Sequence, residues 1–191
     1  MTRHLNQRML RIIGGKWRSR KVSFPDRAGI RPTPDRVRET LFNWLAPAIA
    51  GARCLELYAG SGILSMEALS RGARHATLVE RDEATWARLG DNLALLCDDV
   101  SRYACIHGAA LEWLDHNAEP CDIVFLDPPF EDNVLPAVLA RLIETGTLAI
   151  GGLAYIETPA AVDAESLPRG ITIMRQKKAG QVHYCLCERE R

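Results

Sequence analysis

Short apolar runs and stretches of helical spacing take turns along this chain, and their order predicts most of its architecture. Strand-like runs fall near 53–58, 76–80, 103–107 and 121–126, separated by helix-like stretches near 62–72, 82–96, 109–116 and 134–145. Ahead of the first strand, Val37, Leu41, Trp44, Leu45 and Ala48 repeat at helical spacing and give an apolar face suited to lying on a sheet. Thr33 is placed to cap that helix, with Pro34 at its first position. Regular alternation of strand and helix implies a parallel, doubly wound α/β sheet. Past a further strand at 153–157 the alternation stops. Runs at 171–175 and 182–187 are joined by the link 176–181, a length suited to an antiparallel hairpin. At the other end, 11–22 reads as a hairpin turning at Gly14 and Gly15. No repeat, low-complexity segment or second domain interrupts the pattern, so 1–32 is expected to be an arm belonging to the same domain as 33–191.

Two strand ends carry the candidate chemistry. The run from Cys121 to Leu126 passes directly into Asp127, Pro128, Pro129 and Phe130. The carboxylate accepts hydrogen bonds from an amino group, and the prolines fix φ and remove two backbone donors. The carbonyls of Asp127 and Pro128 are left to accept as well. Phe130 offers a face on which a planar base stacks. This suits an exocyclic amine of a nucleobase, although a Pro-Pro turn leaving a strand would also account for the tetrapeptide by itself. Upstream, the strand at 53–58 runs into Gly60, Ser61 and Gly62, and an amphipathic helix follows with Ile63, Met66, Ala68 and Leu69. Glycines at such a turn let the backbone approach a ligand, and the helix N-terminus presents free N–H groups. Glu56 lies inside the strand, four residues before Gly60, while Ser65 stands where a dinucleotide-binding turn wants a third glycine. A carboxylate beside the loop suits a cationic ligand better than a pyrophosphate. The next strand ends at Glu80, where an acid can hold both ribose hydroxyls. Taken alone, Glu80 would be an ordinary surface acid.

Together these residues resemble the class I methyltransferases that use S-adenosylmethionine. The stretch from Arg31 to Trp44 (RPTPDRVRETLFNW), the turn after Leu57, the Asp127 tetrapeptide and the segment from Ala179 to Val182 are similar to the RsmD family, the 16S rRNA guanine-N2 methyltransferases. The resemblance runs from about Arg11 to Glu188 with the motifs in the family's order. It implies a Rossmann-like sheet of strand order 3-2-1-4-5-7-6 whose last strand is antiparallel. It implies S-adenosylmethionine held by Glu56, Tyr58, Gly60, Ser61, Gly62, Glu80, Arg81, Gly108 and Ala109, with Asp127, Pro128, Pro129 and Phe130 at the reacting base. The implied partner is 16S rRNA, naked or within an assembling small subunit, for a cytoplasmic monomer without a metal. Two positions depart from the commonest pattern. Glu56 stands where Asp is frequent, and no acid follows the third strand at His107, Gly108 and Ala109.

Charge adds a partner to this picture. The 24 Lys/Arg balance 24 Asp/Glu overall, yet residues 1–40 hold eleven basic residues against Asp26, Asp35 and Glu39. A basic arm on an acidic body is the footprint of nucleic-acid contact, with Arg11, Lys16, Arg18, Arg20, Lys21, Arg31, Arg36 and Arg38 as candidates. A solvated charged face is the plain alternative. Trp17 within the arm suits either stacking on an unpaired base or covering the core. At 191 residues and 47% hydrophobic composition the chain can bury a sizeable core. No run of about eighteen apolar residues and no cleavable signal point to membrane or export. The six cysteines include no Cys-x-x-Cys pair and read as reduced core residues, giving zinc little support. Other readings are an N6-adenine or other amino methyltransferase, a nicotinamide-dependent oxidoreductase, and a non-catalytic RNA-binding module. Ser65 and the lack of a hydride-relay Tyr or Lys pair oppose the oxidoreductase, and the Asp127 site opposes the module.

Overall fold

The computed structural model describes residues 7–26, 32–117, 119–129 and 134–190. Strands β1 (Gln7–Arg11) and β2 (Lys21–Pro25) form an antiparallel pair ahead of α1 (Asp35–Leu45). The main body then alternates through β3 (Arg53–Leu57), α2 (Ile63–Ser70), β4 (His75–Glu80), α3 (Glu83–Leu96), β5 (Tyr103–His107), α4 (Ala110–His116), β6 (Cys121–Leu126), α5 (Leu135–Glu144) and β7 (Leu148–Thr158), ending in β8 (Ile171–Ala179) and β9 (Val182–Arg189). The seven-stranded sheet runs β5-β4-β3-β6-β7-β9-β8. Counted from β3, that is the expected order 3-2-1-4-5-7-6. β9 lies antiparallel to both β7 and β8, because only a hairpin joins the last two strands.

Side-chain alternation along the strands divides the core into two layers. Cys54, Ile123, Phe125 and Tyr155 face α1, α2, α3 and the N-terminal arm. Leu55, Leu57, Val124, Leu126 and Ile156 face α4 and α5. Phe42 of α1 meets Phe125 with ring centroids 6.2 Å apart, and Trp44 meets Tyr184 at 5.6 Å. Cys185 and Cys187 lie on the same face of β9, fully buried, with sulfurs 3.7 Å apart. Among the described residues no helix is long and apolar enough to cross a membrane.

Four local expectations are corrected. Thr33 does not cap α1: Pro34 is the N-cap, and the Thr33 hydroxyl donates instead to Glu157 at 2.5 Å. Helix α2 is not amphipathic, because every residue from Ile63 to Ser70 is buried, the arm covering its outer side. The arm's hairpin does not turn at Gly14 and Gly15; its strands are linked by a longer connection with a 3-10 turn at Gly15–Trp17. There Ser70 Oγ donates to the Gly14 carbonyl at 2.6 Å and accepts from Trp17 N at 2.9 Å. Gly15, at φ +73°, passes so near α2 that a Cβ would lie 2.0 Å from the Ser70 carbonyl. Finally, β8 continues to Ala179, so the link before β9 is only the turn at Gly180 and Gln181.

Candidate active site

Parallel pairing of β3 with β6 brings the two chemical segments together. Leu57 and Leu126 are partners at the ends of these strands, so the chain leaves both at the same edge of the sheet. The strand order reverses between them, which makes this the crevice where an open α/β sheet receives ligands. On the β3 side, Tyr58 adopts φ +60°, rare for a bulky residue, and Gly60 and Gly62 follow at φ +51° and +66°. At Gly62 the backbone is left-handed, and a Cβ would sit 2.5 Å from Leu89 Cδ2. Only glycine fits that entry to α2. Ser61 is buried beside it.

Two acids brace this turn. Glu80, at the end of β4, accepts from Gly60 N through one oxygen and Asp82 N through the other, each at 2.8 Å. It thereby ties the glycine turn to the start of α3. Glu56 is buried beneath α2 and accepts from Ser65 N at 2.8 Å. Burial pushes its carboxyl up to about 7, against the lowering effect of the hydrogen bonds from Ser65. A raised acid favours the fold at low pH, so this contribution to stability is lost as pH rises from the ordinary carboxylate range through about 7. A cationic ligand nearby would offset that loss. Arg81 is exposed, and its carbonyl lies 3.1 Å from His107 Nε2. Gly108 N donates to the Glu80 carbonyl at 3.0 Å, setting Gly108 and Ala109 beside the end of β4.

On the β6 side, Asp127 is half-buried, Pro128 buried and Pro129 exposed; Phe130 lies outside the described residues. Burial first, then the neighbouring Glu157 and Glu56, raise the Asp127 carboxyl well above its usual range. Among the described residues no hydrogen bond reaches its carboxylate and no cation lies within ion-pair distance of Asp127, Glu157 or Glu56. The site therefore gathers three acids whose ionised forms are disfavoured by burial until a positively charged ligand balances them. No group of three or more His, Cys, Asp or Glu suited to a metal occurs among the described residues.

The arm distributes its charges unevenly. Arg11, Lys16, Arg18, Arg20, Lys21 and Arg36 are exposed, while Arg31 lies outside the described residues. Arg38 is corrected as an RNA candidate, since it is wholly buried and cannot reach a phosphate. Its guanidinium donates to Glu67 Oε1 at 2.7 Å, to the Arg11 carbonyl at 3.0 Å, to the Thr33 carbonyl at 3.1 Å and to Asp35. Glu67 also accepts from Ile13 N at 2.6 Å. Trp17 is buried and serves the core. Sequence reasoning misses Glu67, inside α2, and Glu157, although the latter has the same signal as Glu80, an acid at the end of a strand.

A family model described as conserved hypothetical protein 95 matches residues 10–188. Ribosomal RNA small subunit methyltransferase D of Escherichia coli strain K12 is 46% identical over 187 residues, 98% of this chain and 93% of that protein. The protein of the same name from Haemophilus influenzae is 40% identical over 179 residues, 93% of this chain and 92% of its own length. The chain belongs to the RsmD family of methyltransferases. The solved structure of yhhF from Escherichia coli, 44% identical, covers 95% of this chain and 98% of its own with a TM-score of 0.85. Within this RsmD-family fold, the glycine turn and the Asp127 segment occupy the ends of the two central strands.

Proposed function

We propose that this protein transfers a methyl group from S-adenosylmethionine to the exocyclic N2 of a guanine in small-subunit rRNA. The observation that carries the reading is the pairing of Leu57 with Leu126, from which a glycine turn and an acid-proline-proline segment emerge side by side. The small-subunit rRNA substrate rests on relatives of that name at 46% and 40% identity. S-adenosylmethionine supplies an electrophilic methyl on a sulfonium and carries net positive charge, which fits the unbalanced acids at this edge. The turn at Gly60, Ser61 and Gly62 approaches its methionine portion, Glu80 takes the ribose, Glu56 lies beneath the turn, and Tyr58, Arg81, Gly108 and Ala109 line the remainder.

Guanine N2 is a poor nucleophile because its lone pair is delocalised into the ring. Accepting its N–H bonds at Asp127 and at the Pro128 carbonyl favours a more pyramidal, reactive nitrogen. Pro128 and Pro129 present no N–H to compete for those acceptors. Phe130 stacks on the base and fixes its plane. Much of the rate gain comes from alignment of the amine with the methyl group. A base stacked inside a helix cannot enter such a pocket, so the target guanine is unstacked. Mapping modified guanines in small-subunit rRNA from cells with and without this protein tests the assignment. One N2-methylguanine should vanish with the protein, and an unchanged map would refute the reading.

Two variants separate cofactor from RNA binding. Glu80→Ala removes a carboxylate from the ribose and from Gly60 N, and should cost S-adenosylmethionine affinity roughly 10-fold or more, as each hydrogen bond to a charged group contributes about 1.5–3 kcal/mol. Calorimetry on the folded variant checks this; unchanged affinity removes Glu80 from the site. Replacing Lys16, Arg18 and Arg20 together by alanine should leave cofactor affinity alone. It should weaken RNA binding and flatten the dependence of log affinity on log salt by about three units or less. An identical slope in both proteins would leave the arm without a role in RNA binding.

A further inference from the structure

Beside Asp127 lies a second acid that the proposed chemistry does not use. In β6 and β7 the pairs Phe125–Tyr155 and Leu126–Ile156 are in register, so Glu157 follows as the neighbour of Asp127 on the same face of the sheet. Glu157 is 3% exposed, as is Thr33, and Tyr155 is fully buried. One oxygen of Glu157 accepts both the Thr33 hydroxyl at 2.5 Å and the Tyr155 hydroxyl at 2.9 Å. A buried acid normally offsets its lost hydration with a cation. Glu157 has two hydroxyl donors from segments far apart in sequence, so its place is fixed, and among the described residues no cation neutralises its charge.

We propose that Glu157 is a positioning residue for Asp127, setting the charge at the base site from a seat clamped by Thr33 and Tyr155. The inference rests on the guanine-amine reading of that site. Two carboxylates on adjacent strands resist simultaneous ionisation. Burial raises Glu157, and the two hydroxyl bonds lower it, while Asp127 is raised by burial and then by Glu157. With Glu157 charged, Asp127 is the more basic acceptor, which strengthens its pull on the amine proton. As the N2 lone pair forms the new bond to the methyl carbon, the carbon–sulfur electrons stay with sulfur. The surplus N2 proton then passes to Asp127. Among the described residues, the other titratable groups do not supply Asp127 with a neutralising charge. Glu56 and Tyr58 come from the β3 side, Tyr184 of β9 pairs with Glu157, and Arg38 of α1 is held by Glu67 and Asp35.

The test is the pH profile of single-turnover methyl transfer to small-subunit rRNA for wild type and Glu157→Gln. Glutamine keeps an oxygen for Thr33 and Tyr155 but removes the charge. The acid limb should move to lower pH by about one unit. The plateau single-turnover rate constant should fall roughly threefold as Asp127 becomes less basic, with the half-saturating concentrations of RNA and cofactor unchanged. Superimposable limbs would overturn the proposal, because a residue that merely anchors Thr33 would lower stability without moving a limb. If Glu157→Gln does not fold, Tyr155→Phe replaces it. Loss of that donor holds the proton on Glu157 and should shift the limb in the same direction by less; no shift again overturns the proposal. The two failures are distinct. A wild-type protein that does not modify guanine N2 ends the functional reading, whereas normal guanine transfer with an unmoved limb ends only the role of Glu157.

Discussion

Asp127→Ala will slow methyl transfer to RNA roughly 100-fold or more while S-adenosylmethionine binds nearly as before. The carboxylate stands at the end of β6, raised by burial and by Glu157 and Glu56, and among the described residues no hydrogen bond occupies it. On the proposed reading its free acceptor capacity serves the substrate amine, while the turn at Gly60 and Gly62 and the brace at Glu80 belong to the ends of β3 and β4. Asp127→Asn should retain part of the activity, since the amide oxygen still accepts one N–H bond but cannot take the proton. Rapid-quench kinetics with saturating cofactor, alongside calorimetric cofactor titrations, check both variants. Wild-type turnover in Asp127→Ala would assign the chemistry to the backbone carbonyls alone.

Arg38→Leu will destabilise the protein by about 3–5 kcal/mol, because it strands Glu67 as a buried charge without its main cation. Glu67 would keep Ile13 N at 2.6 Å and the partly exposed Arg71 at 3.2 Å, too little to replace a wholly buried guanidinium. In a domain of this size the melting temperature should drop by roughly 10 °C. Adding Glu67→Gln should recover part of the loss, since it removes the stranded charge while keeping an oxygen for Ile13 N. Thermal unfolding of the two single variants and the pair checks this. If the double variant were no more stable than Arg38→Leu, the cost would lie in lost packing instead of charge.

Arg38 also shows where the sequence misled. Counting charges treats every arginine as solvent-facing, and nothing near residue 38 announces that an acid 29 positions away will meet it. Helix α2 failed for the same reason. Ile63, Met66, Ala68 and Leu69 suggest one apolar face, yet Glu67 and Ser70 are buried as well, because Ile13, Gly14 and Trp17 of the arm close over them, and Ser65 is buried against Glu56 of β3. Thr33 before Pro34 looks like a cap until Glu157, 124 residues on, claims its hydroxyl. These errors share one cause: a polar residue paired across the fold looks locally like a surface residue. What was legible depended on period and chain direction. Alternating apolar runs at 53–58 and 121–126 dictated parallel strands, and with them the meeting of Gly60 and Asp127 at one edge. The same signal, an acid at the end of a strand, singles out Glu80, which braces the glycine turn, and fits Glu157 equally.

The identity of the methylated atom is the most direct test of the whole account. Small-subunit rRNA would be incubated with the purified protein and methyl-labelled S-adenosylmethionine, digested to nucleosides and separated with mass detection. The account predicts label in N2-methylguanosine alone, and none when Asp127→Ala replaces the wild type. Label in N6-methyladenosine, or no label in rRNA from a protein that binds the cofactor, would contradict it.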